Sequence, residues 1–208
     1  MSSVNYFTTQ KIRFFALIIV AISILFANGC SNRSASDKQA AKKAAFRKFL
    51  SKFDVLSLPL EMKPGRMQMD HYKKLDSADN AFTGYMEKSE TLYAYGLLPD
   101  TSGSFKVIWF EPADDYYPVL ATFTKNGKKI KQEDIGVGGC GEDCGFSCTE
   151  TIDISKKMTI FSVDSVTEND CDTSGNETGK TEKYTRYKTG QITKGGRIHL
   201  SKTQQKSF

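Results

Sequence analysis

The tetrapeptide Lys125-Asn126-Gly127-Lys128 sits between two β-prone segments, residues 116–124 and 129–135. Asn-Gly readily takes the positive φ angles of a type I′ turn, whose twist matches that of paired antiparallel strands. A chain with this signal at its centre is committed to local antiparallel pairing. The same punctuation recurs on both sides. Residues 91–98 read as a strand, Pro99-Asp100 with Gly103 as a turn, and residues 105–110 as a strand apolar on both faces by its end. Residues 149–154 and 158–163 form a further hairpin about Ser155-Lys156-Lys157. Residues 183–189 and 197–200 flank a turn at Lys194-Gly195-Gly196, and residues 164–182 read as a long polar loop. The succession predicts a mainly β, α+β fold: an antiparallel meander of about seven to eight strands.

One helix precedes it. Ser36 can cap its start, with Gln39 three residues on completing a capping-box pattern. Phe46, Phe49, Leu50 and Phe53 then share one face, while Lys38, Lys42, Lys43, Arg47, Lys48 and Lys52 spread over the remainder. The expected arrangement packs the phenylalanines on a sheet. A basic amphipathic helix lying on anionic lipid is the other use of such a pattern. Leu58-Pro59-Leu60 and Pro64-Gly65 end the helical region. In residues 61–90 only His71-Tyr72 and Ala81-Phe82 suggest short strands.

The first residues carry an address. Lys11 and Arg13 precede fourteen residues, Phe14 to Ala27, with Ser23 the only polar one. That run falls short of the ~20 residues a membrane helix needs. It suits the core of a secretory leader. Ala27-Asn28-Gly29-Cys30 resembles the lipobox of bacterial lipoproteins, matched best at Gly29 and Cys30. The resemblance implies cleavage before Cys30 and acylation (a palmitate-type chain) at its sulfur. The expected organisation is a signal peptide over 1–29, a tether over 30–36 and one β-rich domain with its N-terminal helix over 37–208.

Removing that leader leaves 27 basic residues against 24 acidic ones. This near balance is not the footprint of a nucleic-acid binder. Four cysteines remain: Cys140, Cys144, Cys148 and Cys171. An even count in an oxidising compartment suits two disulfides. C-x₃-C-x₃-C lacks the C-x₂-C pairs usual in zinc knuckles, and no metal or other cofactor is assigned. Sequence leaves three pairings open; Cys140–Cys144 with Cys148–Cys171 is the working choice.

Catalytic signals are sparse. Ser174 to Thr181 nearly spells a phosphate loop, but a strand rather than a helix follows it. His71 and His199 lie on unrelated segments. The carboxylates Asp114-Asp115, Glu142-Asp143 and the stretch Asp164, Glu168, Asp170 and Asp172 read as solvated loops. Aromatic residues are the better lead. Tyr93, Tyr95, Trp109, Tyr116 and Tyr117 cluster in the hairpin strands, either as core or as a ligand platform on an uncovered sheet face. Tyr184 and Tyr187 add to the late strands.

Lys125 to Lys129, then Gly138 to Gly141, then Gly196 to Ile198 follow an order similar to that of cell-envelope lipoproteins of Bacteroidota-type bacteria. That likeness spans about residues 90–200 and brings no activity with it. It implies O-glycosylation at triplets such as Asp76-Ser77-Ala78 and Asp164-Ser165-Val166. The expected protein is a lipid-anchored, extracytoplasmic cell-envelope module, non-catalytic, binding or structural. Its expected partners are the membrane through its lipid and a glycan, peptide or envelope protein. The competing function is an envelope hydrolase using loop carboxylates.

Overall fold

The computed structural model describes residues 33–85, 91–112, 116–138, 140–141 and 143–208. The lipobox, Cys30, Asp114-Asp115 and Glu142 lie outside the described residues. The chain divides into two compact units, Met1–Ala45 and Phe46–Phe208. The first is represented by helical residues of α1 (Arg33–Leu50), exposed over 36–45. Helix α1 thus begins three residues before the expected Ser36 cap. No helix among the described residues is long and apolar enough to cross a membrane.

The second unit holds eleven described strands in two antiparallel sheets. The strands are β1 (Leu60–Met62), β2 (Lys73–Lys74), β3 (Tyr93–Leu97), β4 (Phe105–Glu111), β5 (Tyr117–Phe123) and β6 (Lys129–Asp134), then β7 (Phe146–Ile154), β8 (Thr159–Cys171), β9 (Glu177–Ile192), β10 (Ile198–Leu200) and β11 (Gln204–Ser207). One sheet runs β2-β3-β4-β5-β6; the other runs β1-β7-β8-β9-β10, with β11 also paired to β9. The mainly β, antiparallel expectation holds, as two stacked meanders instead of one. The chain passes from one sheet to the other between β1 and β2, and again between β6 and β7.

Alternation explains the layers, because successive strand residues face opposite sides. Val107 and Trp109 of β4 and Val119, Ala121 and Phe123 of β5 join Phe46, Phe49, Phe53 and Phe82 in one core. Ile108 and Leu120 face the other way, into a core with Ile152, Ile154, Ile160, Ile192 and Ile198 of the second sheet. This double burial is why β4 and β5 read as apolar on both faces. Phe46 and Phe49 are essentially fully buried, each contributing on the order of 1.5–3 kcal/mol by burial.

The sequence-based expectation also fails at particular segments. Residues 164–182 are mostly strand, since β8 and β9 pair out to Cys171 and Glu177; their polar outer faces removed the periodicity that marks a strand. His71-Tyr72 and Ala81-Phe82 are not strands. The first closes a 3-10 turn (Met69–His71, capped by Tyr72), and the second lies in α2 (Asn80–Thr83), whose Phe82 fills the core. The Asn126-Gly127 hairpin forms, but not as type I′. Only Gly127 has positive φ (77°).

That hairpin geometry is shared by four turns. Thr124, Ser155, Asp172 and Thr193 each donate a backbone N–H to the carbonyl four residues on. Each accepts at its own carbonyl from the residue three on: Gly127, Met158, Gly175 and Gly196. The fourth residue is left-handed in every case. The opening side chain closes the loop by accepting from the fifth backbone N–H, at 3.1, 3.2, 2.9 and 3.0 Å in chain order. A Ser, Thr or Asp at the first position supplies that acceptor. The phosphate-loop look-alike, Ser174 to Thr181, starts within one of these turns, Asp172 to Asn176, and continues into β9.

Candidate functional site

The inward faces of β7, β8 and β9 change character along their length. At one end Ile152, Ile154, Ile160 and Ile192 are buried. At the other, the same alternation brings Cys148 and Glu150 of β7, Ser162 and Asp164 of β8, and Arg186 and Lys188 of β9 inward. Register aligns them. Glu150 stands opposite Asp164, Asp164 opposite Arg186, and Ser162 opposite Lys188. Directly opposed residues bring their Cβ atoms to about 5 Å.

Asp164 is wholly buried, although its stretch reads as solvated in sequence; Glu168, Asp170 and Asp172 are exposed. Asp164 Oδ2 accepts from Arg186 Nη2 at 3.1 Å. Asp164 Oδ1 and Arg186 Nε are buried without hydrogen-bond partners among the described residues. Unpartnered buried polar atoms are rare and costly in folded proteins. The third carboxylate comes from the other sheet. Asp134, at the end of β6, accepts from Gly136 N–H (2.9 Å) and from the Tyr117 hydroxyl. Glu150 accepts from Val137 N–H at 2.6 Å, and Lys188 Nζ donates to the Gly136 carbonyl at 2.5 Å.

Gly136 is where these groups converge. A Cβ there would lie 2.8 Å from Glu150 Oε1 and 3.3 Å from Asp134 Oδ1. Three carboxylates therefore face two cations in a partly dehydrated space. Burial pushes the Glu150 carboxyl up to about 7, reinforced by Asp164 and Asp134. Burial raises Asp134 and Asp164 as well, opposed by Lys188 and Arg186 respectively. The charge beside Tyr117, Asp134 first, raises its phenol. A proton held on Glu150 leaves two carboxylates for two cations, which is the balanced state.

Asp134 and Glu150 lie at the side of a cavity of about 1110 Å³. Tyr116, Tyr117, Lys63, Arg66 and the Cys140–Cys148 disulfide line it as well. The second disulfide joins Cys144 to Cys171. All four predicted cysteines are thus bonded, in a pairing that differs from Cys140–Cys144 with Cys148–Cys171. The hairpin of β8 and β9 extends past Glu168, which delivers Cys171 to Cys144; a loop at 164–182 would not have. Cys140, Cys148 and Asp164 place ligand-type atoms within 4.8 Å of one another, but both sulfurs are spent in the disulfide.

The predicted aromatic set divides. Trp109 is fully buried, its Nε1 donating to Glu111 at 2.9 Å, so it offers no face to a ligand. Tyr95 packs on Tyr72 and Phe110, and burial pushes its hydroxyl up to about 12. Tyr93 meets Tyr116 edge-on at 5.5 Å. Tyr116 and Tyr117 alone of the five line the cavity. Tyr187 meets Phe161 at 6.2 Å, and Tyr184 donates to Glu168 at 3.1 Å. His71 and His199 are exposed on separate elements.

Sequence reading passed over Asp134, Glu150, Arg186 and Lys188. A signal for Glu150, and for the inward placing of Asp164, existed: in β7 and β8 they occupy the phase also held by Ile152, Ile154, Ile160 and Val166. A charge on the inward phase of a strand is the mark of a functional or paired group. No protein-family model matches the chain, and neither the curated proteins nor the solved structures provide a match.

Proposed function

We propose that this protein is a lipid-anchored, extracytoplasmic binding module of the cell envelope that holds a glycan in the cavity beside Tyr117, Asp134 and Glu150. The observation that carries the reading is the lining itself. Two tyrosines offer flat apolar faces with polar tips, while carboxylates and the Lys63 and Arg66 cations offer hydrogen bonds of both senses. Polyhydroxylated rings present the complementary pattern, apolar faces and a rim of hydroxyls. An apolar ligand would leave those polar groups unpaired. The extracytoplasmic part of the reading draws on the two disulfides, which suit an oxidising compartment, and on Gly29-Cys30. Mass spectrometry of the native protein tests it: a mature N-terminus at Cys30 carrying acyl chains supports anchoring, and an unmodified Cys30 overturns it.

Binding is tested on an array of envelope and dietary oligosaccharides, followed by calorimetry. The expected result is saturable binding that Tyr117→Ala and Glu150→Gln each weaken at least tenfold. Binding of no glycan, or equal binding by both variants, overturns the reading. One observation favours hydrolysis as a second reading. Glu150, which keeps its proton to about pH 7, shares the Gly136 space with Asp134, as an acid and base would. Release of reducing sugar from a bound glycan, lost in Glu150→Gln, would select that reading over binding alone.

A further inference from the structure

At the opposite end of the same inter-sheet layer lies a second, smaller cleft of about 310 Å³. Thr159, where β8 starts beside it, is five residues from Asp164, roughly 17 Å along the strand. Four lysines line the cleft, Lys106, Lys156, Lys157 and Lys194, against a single carboxylate, Asp100. They come from three separate places: Lys106 from β4, Lys156 and Lys157 from the turn between β7 and β8, and Lys194 from the turn between β9 and β10. Folding has gathered like charges from distant parts of the chain, which repulsion opposes.

Lys106 is the decisive member. It occupies the inward phase of β4, opposite Thr122, and is only 1% exposed. Its ammonium donates to the carbonyls of Asp100 (2.9 Å) and Ser104 (3.4 Å). Both acceptors are neutral, and no salt bridge to Lys106 exists among the described residues. Lysine carries three donors, so one remains to be used. A buried cation without a bonded anion is expensive. Burial accordingly pulls the Lys106 ammonium down from its usual range, with Asp100 opposing.

Backbone conformation marks the same place. Asp100 (φ 57°) and Met158 (φ 60°) are the two non-glycine residues in the left-handed region among the described residues. Both line this cleft. Met158 is the one non-glycine residue at the left-handed position of the four turns described above, so the strain falls on the turn that carries Lys156 and Lys157.

We infer that the cleft floored by Lys106 and rimmed by Lys156, Lys157 and Lys194 is a binding site for a tetrahedral oxyanion, a phosphate or sulfate group. Such a group accepts several charge-assisted hydrogen bonds at once and supplies the negative charge that Lys106 lacks. Asp100, whose Oδ1 accepts from the Ser102 N–H and hydroxyl at 3.2 and 2.5 Å, is one carboxylate against four lysines, so the cleft keeps a net positive charge. The site is independent of the glycan cavity.

Sodium phosphate and sodium sulfate are titrated into the folded protein at low ionic strength, and backbone amide shifts are followed by NMR. Saturable shifts confined to residues 100–106, 156–158 and 191–194 are expected, weakening as sodium chloride rises. Lys106→Met should weaken binding by about tenfold or more, the loss of one charge-assisted hydrogen bond. Should that variant fail to fold, Lys156→Gln with Lys157→Gln, both on the exposed turn, serves in its place with the same expectation. A sugar phosphate and a sulfated sugar identify the source. Tighter binding of either ester points to a group carried on a glycan, and equal binding points to the free ion. No saturation at millimolar anion, or unchanged affinity in the lysine variants, overturns the site.

Discussion

Glu150 and Asp164 face each other directly across the β7–β8 ladder, two carboxylates on the inward face of one sheet with Arg186 next in line. Like charges so placed cannot both ionise cheaply, and the proton settles on Glu150.

Stability should therefore fall as the solution passes from mildly acidic to mildly alkaline. The folded Glu150 carboxyl titrates at about 7 against an ordinary 4.5. A folded state that holds the proton more tightly than the unfolded chain loses stability as pH rises through that window, and the loss is complete above it. The upper bound is about 3 kcal/mol, and the raised Asp134 and Asp164 push the same way. Melting temperatures measured from pH 5 to 8 should decline in the wild type and flatten in Glu150→Gln. A wild-type profile rising over that range would refute the assignment.

Gly127 should tolerate a methyl group far less well than Gly175. Both are left-handed, at φ 77° and 78°, so alanine at either costs about 1 kcal/mol in conformation. At Gly175 nothing lies within 4 Å of the added carbon, whereas at Gly127 it would sit 2.6 Å from the Phe46 ring. Gly127→Ala should lose a further 1–3 kcal/mol through forced repacking, roughly the penalty of overfilling a core. Urea denaturation of the two variants measures the difference; equal losses would mean that Phe46 is free to move aside.

The two disulfides should contribute unequally. Cys144–Cys171 spans 27 residues and Cys140–Cys148 spans 8. Loop-closure entropy assigns them about 3.5 and about 2.5 kcal/mol. Double alanine variants of each pair, compared by denaturant midpoint, should rank in that order, with peptide mapping confirming the pairing. Reduction without any loss of stability would contradict the role of both.

Thr122 and Ser162 stitch the two sheets together. Thr122 Oγ1 donates to the Gly196 carbonyl at 2.6 Å, and Ser162 Oγ to the Ile135 carbonyl at 2.5 Å, both buried. Thr122→Val keeps the shape and strands the carbonyl, for a loss of about 1–3 kcal/mol. Thermal denaturation gives the value, and a neutral result would mean that water replaces the hydroxyl.

Local signals were legible where strands alternate or turns close on themselves. The segments at 91–98, 105–110, 116–124 and 129–135 all form strands, and Phe46, Phe49 and Phe53 are buried as their spacing suggests. The site was not legible. Asp134 and Glu150 belong to different sheets, and only the stacking of those sheets puts both carboxylates beside Gly136. Asp164 looked solvated because its neighbours Glu168, Asp170 and Asp172 are, yet strand alternation turns it inward.

By itself, the sequence determined the antiparallel pairing, since hairpins are settled by residues within a few positions of each other. It also determined that four cysteines would bond. Tertiary structure alone decided how they pair and where charge is buried. The β8–β9 hairpin had to extend before Cys171 could meet Cys144. The sheets had to stack before three carboxylates shared a partly dehydrated space and, separately, before the buried Lys106 met three lysines of distant turns. Those juxtapositions depend on residues far apart in the chain, and no local preference encodes them.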